Sequence, residues 1–423
     1  ISPIASRLPD SEEGSDAHRA ALKKYYVGYG HKSIAQCATT DVYLEGISLL
    51  AAKAVENHPL FNGQECSTRY IDMTNQPCIY SHTEIHEWQQ KFIALYTRAL
   101  AVMKEMLKLQ FPLKDQPEDT KESVWENTIN ARAFDICRGI LPAGITTNVG
   151  ASITLDTLND HFAKLMRHPT LEVPIIAAKV FAGLQKKYPD VCKSADDVVQ
   201  STQHYHAGYF YNDLTAALGL CNQGEIIPVG EEFYRNIWAM HDNEHFKRYT
   251  NRPKHTEIDP FLSSQIRATY YGVLDFGSYR DIQRHRNGFT TMPILTPHLG
   301  IHEYYLDMLT PDLAEEFIDL FKAYQLWYKE SDINVFEMQY STPIGACVAF
   351  SMQCDLNQAL YVIELRSAKT VHQTLRDLVL HWANQLSYLT KISMYVDTSE
   401  DNFTLKRGTQ TFSEVKENES DQG

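Results

Sequence analysis

The pattern of hydrophobic and polar positions predicts long helices separated by short breaks, with fewer strands between them. Residues 84–110 and 312–330 are the longest helix candidates, and Thr310-Pro311 gives the second a typical helix start. The strand candidates are shorter segments, rich in β-forming residues, and they cover 40–47, 267–274 and 347–354. This combination predicts an α+β fold.

The strand candidates reveal an internal repeat, which is the signature of a duplicated fold. Strands 40–47 and 267–274 each lead directly into a helical stretch that ends in a basic or histidine cluster. The aligned pairs are Lys53 with Arg280, Asn57 with Arg284 and His58 with His285. Identity between the copies is low, so the repeat rests on the order and spacing of such matches.

A second pair of segments extends the repeat. Residues 138–144 align with 339–345, and each is followed by an apolar stretch that closes on an arginine, Arg167 in the first copy and Arg366 in the second. The chain is therefore predicted to hold two fused, diverged copies of one fold, each a small twisted sheet packed with long helices. The predicted bounds are 1–200 for the first copy, 201–411 for the second and 412–423 for a flexible, charged tail.

The composition is that of a large globular protein that does not bind nucleic acid polymers. The 423 residues are 43% hydrophobic, which is ample for large cores, and the net charge of −14 is unsuited to a polyanion. Eight scattered cysteines without a CxxC pair predict reduced thiols in a cytoplasmic compartment. No apolar run approaches the roughly 18 residues of a membrane span, so no membrane partner is expected.

Arg284-His285-Arg286, at the end of a predicted helix, is the first segment with candidate chemistry. Two guanidinium groups that cannot lose their charge, with an imidazole between them, suit a pyrophosphate or a reduced, anionic flavin. The same residues are also typical of a basic helix end that favours the helix dipole. Taken alone, the segment does not separate these interpretations.

Glu65-Cys66-Ser67-Thr68-Arg69-Tyr70 is the second such segment. It suits a sugar-phosphate, with Ser67 and Arg69 on the phosphate and Glu65 on a ribose or flavin group. A helix-capping turn with a surface ion pair fits the same residues. Cys66 is a possible nucleophile, but no nearby residue identifies a base that would activate it. A buried spacer is therefore the favoured interpretation of this cysteine.

Four segments together resemble the flavin-dependent thymidylate synthases. They are Gly30-His31-Lys32-Ser33, the GQECSTRY stretch, Cys137-Arg138-Gly139-Ile140-Leu141-Pro142 and Gln283-Arg284-His285-Arg286. The family has a GHxS/T turn, an RHR motif that runs into SxNxxSxRY, an Arg-x-x-Leu-Pro motif and a segment that ends in Leu-Arg. The match extends, with gaps, over residues 26–396 and looks closest to the long, duplicated members. It implies an α+β fold whose active sites lie between subunits of a tetramer.

The two copies depart from the family pattern in complementary ways. The first copy keeps ExSxRY and the arginine before Leu-Pro, Arg138, but has Asn57-His58-Pro59 where the family has RHR. The second copy keeps RHR and the Leu-Arg pair that ends at Arg366, but has 292–297 in place of ExSxRY and Gln339 in place of the pre-Leu-Pro arginine. In the family, these two sets of residues reach dUMP from neighbouring subunits. Each copy has thus kept the half of the site that the other lost.

The resemblance implies a flavoenzyme that converts dUMP to dTMP with FAD, using NADPH and methylenetetrahydrofolate as co-substrates. Arg366 matches the arginine that sits against the pyrimidine, where a fixed charge would stabilise the N3-deprotonated uracil. The residues implied to bind substrate are Glu65, Ser67, Thr68, Arg69, Arg138, Asp281 and Arg284. Those implied to bind flavin are His31, Ser33, Glu65, Arg284, His285, Arg286, Asp355 and Asn357. Arg69 and Arg284 would then contact the same nucleotide.

Two departures from the family leave the substrate open. Asp281 replaces a family glutamine, and Asn357 stands where the family has an arginine. The alternatives are a related flavoenzyme for another pyrimidine nucleotide and a non-catalytic nucleotide-binding homologue. We expect a homodimer, in which four copies mimic the family tetramer. Residues 241–245 have the His-x-x-Glu-His spacing of a zinc motif, but without a third ligand a solvated helix is the favoured interpretation.

Overall fold

The computed structural model describes residues 33–118, 120–189, 192–212, 214, 233–235, 249, 251–390 and 392–399. Helices and small antiparallel sheets alternate along this part of the chain, so the α+β fold predicted from the sequence is confirmed. Among the described helices, none combines the length and the apolar character that crossing a membrane requires.

The first sheet has three antiparallel strands in the order β1-β3-β2. They are β1 (Thr39–Ser48), β2 (Gly63–Glu65) and β3 (Thr146–Thr154). β1 carries a bulge between Leu44 and Ile47, where Gly46 adopts a φ of 65° that residues with a Cβ rarely take. The predicted strand 40–47 is confirmed.

The described helices of the first half pack against this sheet or in the main core. They are α1 (Ser33–Gln36), α2 (Leu49–Glu56), α3 (Thr83–Gln110), α4 (Glu122–Cys137), α5 (Leu155–Leu165), α6 (Glu172–Lys187), α7 (Ala195–Thr202) and α8 (Ala207–Phe210), with 3-10 turns at Leu113–Asp115 and Arg138–Ile140. The long helix α3 buries a stripe that includes Ile85, Phe92 and Ala99, at the spacing expected of one helix face. This stripe packs in the main core, which also contains side chains of the second half.

The second sheet has four strands in the order β4-β5-β7-β6. They are β4 (Phe233–Arg235), β5 (Arg267–Asp275), β6 (Gly288–Thr290) and β7 (Cys347–Asp355). The described helices of this half are α9 (Pro260–Gln265), α10 (Phe276–Gln283), α11 (Glu303–Met308), α12 (Pro311–Glu330), α13 (Val335–Met338), α14 (Leu356–Arg366) and α15 (Gln373–Thr390), with a 3-10 turn at Gln339–Ser341. Thr310 caps α12 by accepting the backbone N–H of Leu313, as its sequence signal predicts.

The two halves repeat one order of elements. In the first half, β1, α2, β2, β3 and α5 follow each other as β5, α10, β6, β7 and α14 do in the second. Pro142 and Pro343 pair in an antiparallel bridge between the halves. Its flanking hydrogen bonds are reciprocal and run from Ala143 N–H to Thr342 C=O and from Ile344 N–H to Leu141 C=O. Reciprocal bonds of this kind are expected of a local twofold between two copies, and the duplicated fold is confirmed.

One alignment made from the sequence is wrong by two residues. β3 and β7 run directly into α5 and α14, and both helices are 11 residues long. Arg366, the last residue of α14, therefore corresponds to Leu165 and not to Arg167. Arg167 lies beyond the end of α5, where its Nε donates to Thr202 Oγ1. Within the described residues, the first copy has no arginine at the position of Arg366.

Candidate functional site between the two copies

The RHR segment lies at the C-terminal end of a short, capped helix. The side chain of Asp275, the last residue of β5, accepts the backbone N–H of Ser278 and so caps α10. α10 ends at Gln283, and the two arginines of the segment follow at the negative end of the helix. β2 of the first copy ends at Glu65 directly against this turn.

Glu65 joins the two copies through a buried cluster of charges. Its carboxylate lies 2.8 Å from Lys53 Nζ of its own copy. From the other copy, Arg280 forms a direct ion pair with it and Arg284 lies 3.7 Å away. Burial alone would raise the pKa of Glu65, but these three cations outweigh it and hold that pKa below its usual value. The helix-capping interpretation of this segment is wrong, because Glu65 ends a strand and is buried.

Glu56, the last residue of α2, extends the cluster. Its carboxylate forms an ion pair with Lys53, and its backbone carbonyl accepts a hydrogen bond from Arg286 Nε at 3.1 Å. The Arg286 guanidinium also lies over the ring of Phe61, 4.9 Å from its centroid. An arginine of the second copy is therefore held by two groups of the first, the Glu56 carbonyl and the Phe61 ring.

Asp281 lies among four arginines. Arg284 and Arg366 are 3.6 Å and 4.0 Å from its carboxylate, and Arg138 and Arg69 act on it from farther away. Burial would raise the pKa of Asp281, but the four cations outweigh it and hold that pKa far below its usual range. Asp281 is consequently an anion that accepts hydrogen bonds and donates none.

Arg366 is held in a fixed orientation by the turn that carries the RHR segment. Its Nε donates to His285 Nε2 at 2.8 Å, and its Nη2 donates to the backbone carbonyl of Asp281 at 3.1 Å. Because His285 accepts through Nε2, we assign its proton to Nδ1. Burial and the neighbouring Arg366 lower the pKa of His285 to about 3, so the ring is neutral. His285 thus orients Arg366 as an acceptor and adds no charge.

Arg69, from the first copy, reaches the same region. Its Nε and Nη2 donate to the two carboxylate oxygens of Asp135 at 2.8 Å and 3.0 Å, a bidentate pair. Nη2 also donates to the backbone carbonyl of Thr370 in the second copy, at 3.0 Å. Its charge acts on both Asp281 and Arg366. The two segments singled out from the sequence therefore meet within one chain.

Arg138 lies beneath these groups, with 2% of its side chain exposed. Its Nη2 donates to Ser278 Oγ at 2.6 Å and its Nε donates to the Tyr305 hydroxyl at 3.2 Å. The carboxylate of Asp275 is 3.6 Å away. The charge of the buried Arg138 therefore helps to lower the pKa of Asp281.

Asp355 and Asn357, two predicted flavin contacts, lie away from the cluster at the start of α14. Asp355 caps this helix through Gln358 N–H. The Asn357 side chain exchanges hydrogen bonds with the backbone N–H and C=O of Ile258. Arg366, at the other end of this helix, lies eleven residues after Asp355 and nine after Asn357, a distance of about 14–16 Å along the helix. Hydrogen bonds to backbone groups therefore hold both side chains in the structure.

The remaining predicted residues are placed only in part. Ser67 Oγ accepts the backbone N–H of Arg69 at 3.2 Å, and Thr68 is buried. His31 and the His-x-x-Glu-His segment at 241–245 lie outside the described residues, and Ser33 is described by its backbone alone. In the described part of the chain, no group of three or more His, Cys, Asp or Glu side chains is arranged to hold a metal ion.

Sequence reasoning did not single out several charged residues of the cluster. They are Lys53, Glu56, Asp135 and Arg280. The repeat alignment contained one signal, since it paired Lys53 with Arg280 and both cations bind Glu65. Asp135 gave no signal, because a carboxylate inside a helix is usually a solvated surface group.

The cluster carries excess positive charge in an acidic chain. Its cations are Lys53, Arg69, Arg280, Arg284, Arg286 and Arg366, and its carboxylates are Glu56, Glu65, Asp135 and Asp281. Six cations and four carboxylates leave two positive charges, whereas the whole chain has a net charge of −14. Arg284 is the most exposed cation at 35%, and no described residue hydrogen-bonds its guanidinium. The arrangement can bind a dianion at Arg284.

Comparison with known proteins agrees with the motifs. Residues 3–190 match the family model described as thymidylate synthase complementing protein. The chain is 22% identical to a UPF0159 protein of Thermoplasma acidophilum over 89% of each chain. It is 20% identical to a UPF0159 protein of Chlamydia pneumoniae, covering 87% of this chain and 77% of the relative. For one of Chlamydia muridarum the identity is 21%, over 90% and 81%. The resemblance stated from the motifs is confirmed.

Proposed function

We propose that this chain, whose residues 3–190 match the thymidylate synthase complementing family, is an FAD-dependent thymidylate synthase that converts dUMP to dTMP. Methylenetetrahydrofolate would supply the one-carbon unit, and NADPH the reducing equivalents. One observation carries the proposal: Glu65 and Arg69 of the first copy lie in one charged cluster with Arg284 and Arg366 of the second. Random loss of motifs would not leave the two surviving halves side by side.

The excess charge of the cluster suits the phosphate of a nucleotide. Arg284 is partly exposed, and Glu65 and Asp281 keep it in place at 3.7 Å and 3.6 Å. Asp135 fixes Arg69 in a bidentate pair, while the described residues leave its Nη1 without a hydrogen bond. Two guanidinium groups held in this way match the fork geometry of phosphate oxygens.

Arg366 supports the chemical step by electrostatics. His285 and the Asp281 backbone hold its guanidinium before any ligand binds. A cation fixed against the pyrimidine would stabilise the negative charge that develops when N3 loses its proton and C5 becomes nucleophilic. We therefore assign Arg366 as the catalytic residue and His285 as a positioning residue.

The surface beside the RHR segment also fits a flavin. Tyr361 is exposed, and its ring lies edge-on to His285 at 5.9 Å. Leu365 is exposed next to Arg366. Apolar and aromatic surface beside fixed arginines is the chemistry that an isoalloxazine ring with a pyrophosphate requires. FAD bound here would supply the reducing electrons, with Arg284 as its cationic contact.

Asp281 supports a second candidate, a related flavoenzyme that acts on another pyrimidine nucleotide. As an ionised carboxylate it can only accept hydrogen bonds, so it disfavours the carbonyl oxygens of uracil and opposes a negative N3. A pyrimidine with an exocyclic amino group would give Asp281 a donor. Cytosine is the simplest base with such a group.

The test is release of tritium from C5 of dUMP or dCMP by the FAD-loaded protein with methylenetetrahydrofolate and NADPH. We expect release from dUMP, and Arg366→Gln should lower it roughly 100-fold or more, the usual loss when one preorganised charge-stabilising group is removed. Arg267→Gln, an exposed arginine at the start of β5, is the matched control and should leave the rate unchanged. Release from dCMP alone would favour the second candidate. Unchanged release in Arg366→Gln would refute the catalytic assignment.

We also propose that the chain forms a homodimer, so that four copies mimic the family tetramer. A groove of about 750 Å³ between β1 and α6 offers apolar surface for a partner. Tyr43, Leu171 and Ile175 are exposed along it. The charged cluster does not depend on this contact, because both of its halves come from one chain.

A further inference from the structure

We propose that the chain has a second nucleotide site, at the place where the duplication puts the counterpart of the charged cluster. A cavity of about 600 Å³ lies there, between α2 and α5 of the first copy and the residues around β6 of the second. Five residues of its lining stand at the positions of residues of the charged cluster. They are Ala54 for Asp281, Asn57 for Arg284, His58 for His285, Leu165 for Arg366 and Met292 for Glu65. Met292 is matched to Glu65 because β6 pairs with β7 in the register in which β2 pairs with β3.

The substitutions explain why a cavity exists at this position. In the charged cluster, long arginine side chains and their ion pairs fill the corresponding space. In the counterpart, alanine, asparagine and leucine replace an aspartate and two arginines. Their smaller volume leaves the space open, and its size is within the usual range of small-molecule sites.

Polar groups of the cavity wall have unused hydrogen-bonding capacity. Gln283 is 4% exposed, and its amide nitrogen donates to the Lys53 backbone while no described residue bonds its Oε1. Thr290 Oγ1 is likewise buried without a partner. His285 accepts from Arg366 through Nε2, so its Nδ1–H remains as a donor. Buried polar atoms are normally paired, so these groups indicate a ligand that pairs with them.

His58 supplies a further donor on the opposite wall. Its Nδ1 accepts the backbone N–H of Leu60, which assigns the proton to Nε2. Burial and the nearby Lys164 lower the pKa of His58, so the ring is neutral. His161, whose ring lies 4.9 Å from that of His58, donates to the Val55 carbonyl and is neutral as well. The wall therefore presents fixed donors and acceptors.

Cations and aromatic rings complete the cavity. Lys164 and Arg286 line it, and the described residues give Lys164 no carboxylate within ion-pair distance. Tyr209 and Phe289 are exposed aromatic side chains of the same lining. Together these residues offer stacking surface for a flat heterocycle and positive charge for an anion.

The ligand class follows from this arrangement. The lining offers an acceptor, Gln283 Oε1, and a donor, His285 Nδ1–H, for the N–H and C=O of a lactam base, and the two cations match a phosphate. We assign a nucleoside monophosphate with a lactam base, such as dTMP, dUMP or dGMP, as the occupant. Asn57 and Leu165 supply no charge where the cluster has Arg284 and Arg366, so this site binds without catalysing.

Equilibrium dialysis with labelled dTMP tests the second site, using a variant in which the charged cluster is disabled by Arg69→Gln and Arg284→Gln. We expect this variant to bind one dTMP per chain, and dAMP, which lacks the lactam edge, to compete poorly. Adding Lys164→Gln should weaken binding roughly tenfold or more, the usual loss of a charge-assisted hydrogen bond. Lys187→Gln at the end of α6 is the charge-matched control and should not change the affinity.

The outcomes separate this site from the proposed function, because binding is measured without Arg69 and Arg284 of the charged cluster and without activity. No dTMP binding by the cluster-disabled variant would overturn the second site. Equal binding with Lys164→Gln would place the nucleotide elsewhere and also overturn it. Displacement of dTMP by FAD would assign the cavity to the flavin and overturn the assignment to a monophosphate. Binding of dTMP that depends on Lys164 and resists FAD would support it, whether or not the protein releases tritium from dUMP.

Discussion

Glu65→Gln is expected to lower the free energy of unfolding by about 3–5 kcal/mol, the usual cost of removing one partner from a buried ion pair. The glutamine has nearly the same shape, so the loss is one of charge and not of packing. Lys53 keeps Glu56 as a partner, but Arg280 is 5% exposed and has no other carboxylate among the described residues. An unpaired buried guanidinium is the reason for the large effect. Urea denaturation followed by circular dichroism measures it.

A surface ion pair provides the control. Glu316 pairs with Arg98, and both side chains are largely exposed. Glu316→Gln should change the free energy of unfolding by only about 0–1 kcal/mol. Arg280→Met in the Glu65→Gln background should recover part of the lost stability, because it removes the unpaired cation. A loss in Glu65→Gln no larger than in Glu316→Gln would show that the buried cluster does not hold the two copies together.

Mild acid is expected to destabilise the chain through buried, neutral histidines. Burial lowers the pKa of His161, His168, His285 and His372 to about 3, from an ordinary value of 6.5. The unfolded chain therefore takes up these protons as pH falls below 6.5, whereas the folded chain does not. Stability is fully present above that pH and is lost progressively toward pH 3. Each histidine contributes a loss of about 2 kcal/mol near pH 5, so four contribute several kcal/mol.

The pH dependence has an internal control and a partial offset. Burial raises the pKa of Glu172, so the folded chain binds that proton more tightly and gains some stability in acid. Four histidines outweigh one carboxyl group.

His168→Asn, which keeps a polar atom near Thr170 but removes the titration, should reduce the slope of unfolding free energy with pH by about 1.4 kcal/mol per unit. Urea unfolding curves that coincide at neutral pH and near pH 5 would contradict the buried, neutral state of these rings.

The regular elements could be predicted from the sequence because their signals are local. The helix predicted at 84–110 is observed as Thr83–Gln110, and the strand predicted at 347–354 as Cys347–Asp355. Periodicity and a helix start such as Thr310-Pro311 depend on neighbouring residues alone. The repeat was visible for the same reason. Low identity caused one error, because Arg366 was aligned two residues away from its counterpart, Leu165.

The site could be predicted only in part, because its partners are distant in sequence. The motif residues Glu65, Arg69 and Arg284 carried the resemblance, but nothing in the sequence pairs Glu65 with Arg280, 215 residues away. Arg138 likewise donates to the hydroxyl of Tyr305, 167 residues away. The second cavity was invisible as well, since it arises from volume lost at positions that meet only in the folded chain.

The most direct test of a site built within one chain is complementation between two variants, Arg69→Ala and Arg284→Ala. Each variant alone should lose the dUMP site of the charged cluster and keep only the second site, so it should bind fewer labelled dUMP molecules per chain than the wild-type chain. The two are then co-expressed, so that dimers with one chain of each variant form, and dUMP binding is measured by equilibrium dialysis. If Arg69 and Arg284 serve one nucleotide from one chain, the mixture should bind no better than the separate variants. Recovery of tight dUMP binding in the mixture would show that the two arginines meet across a dimer instead.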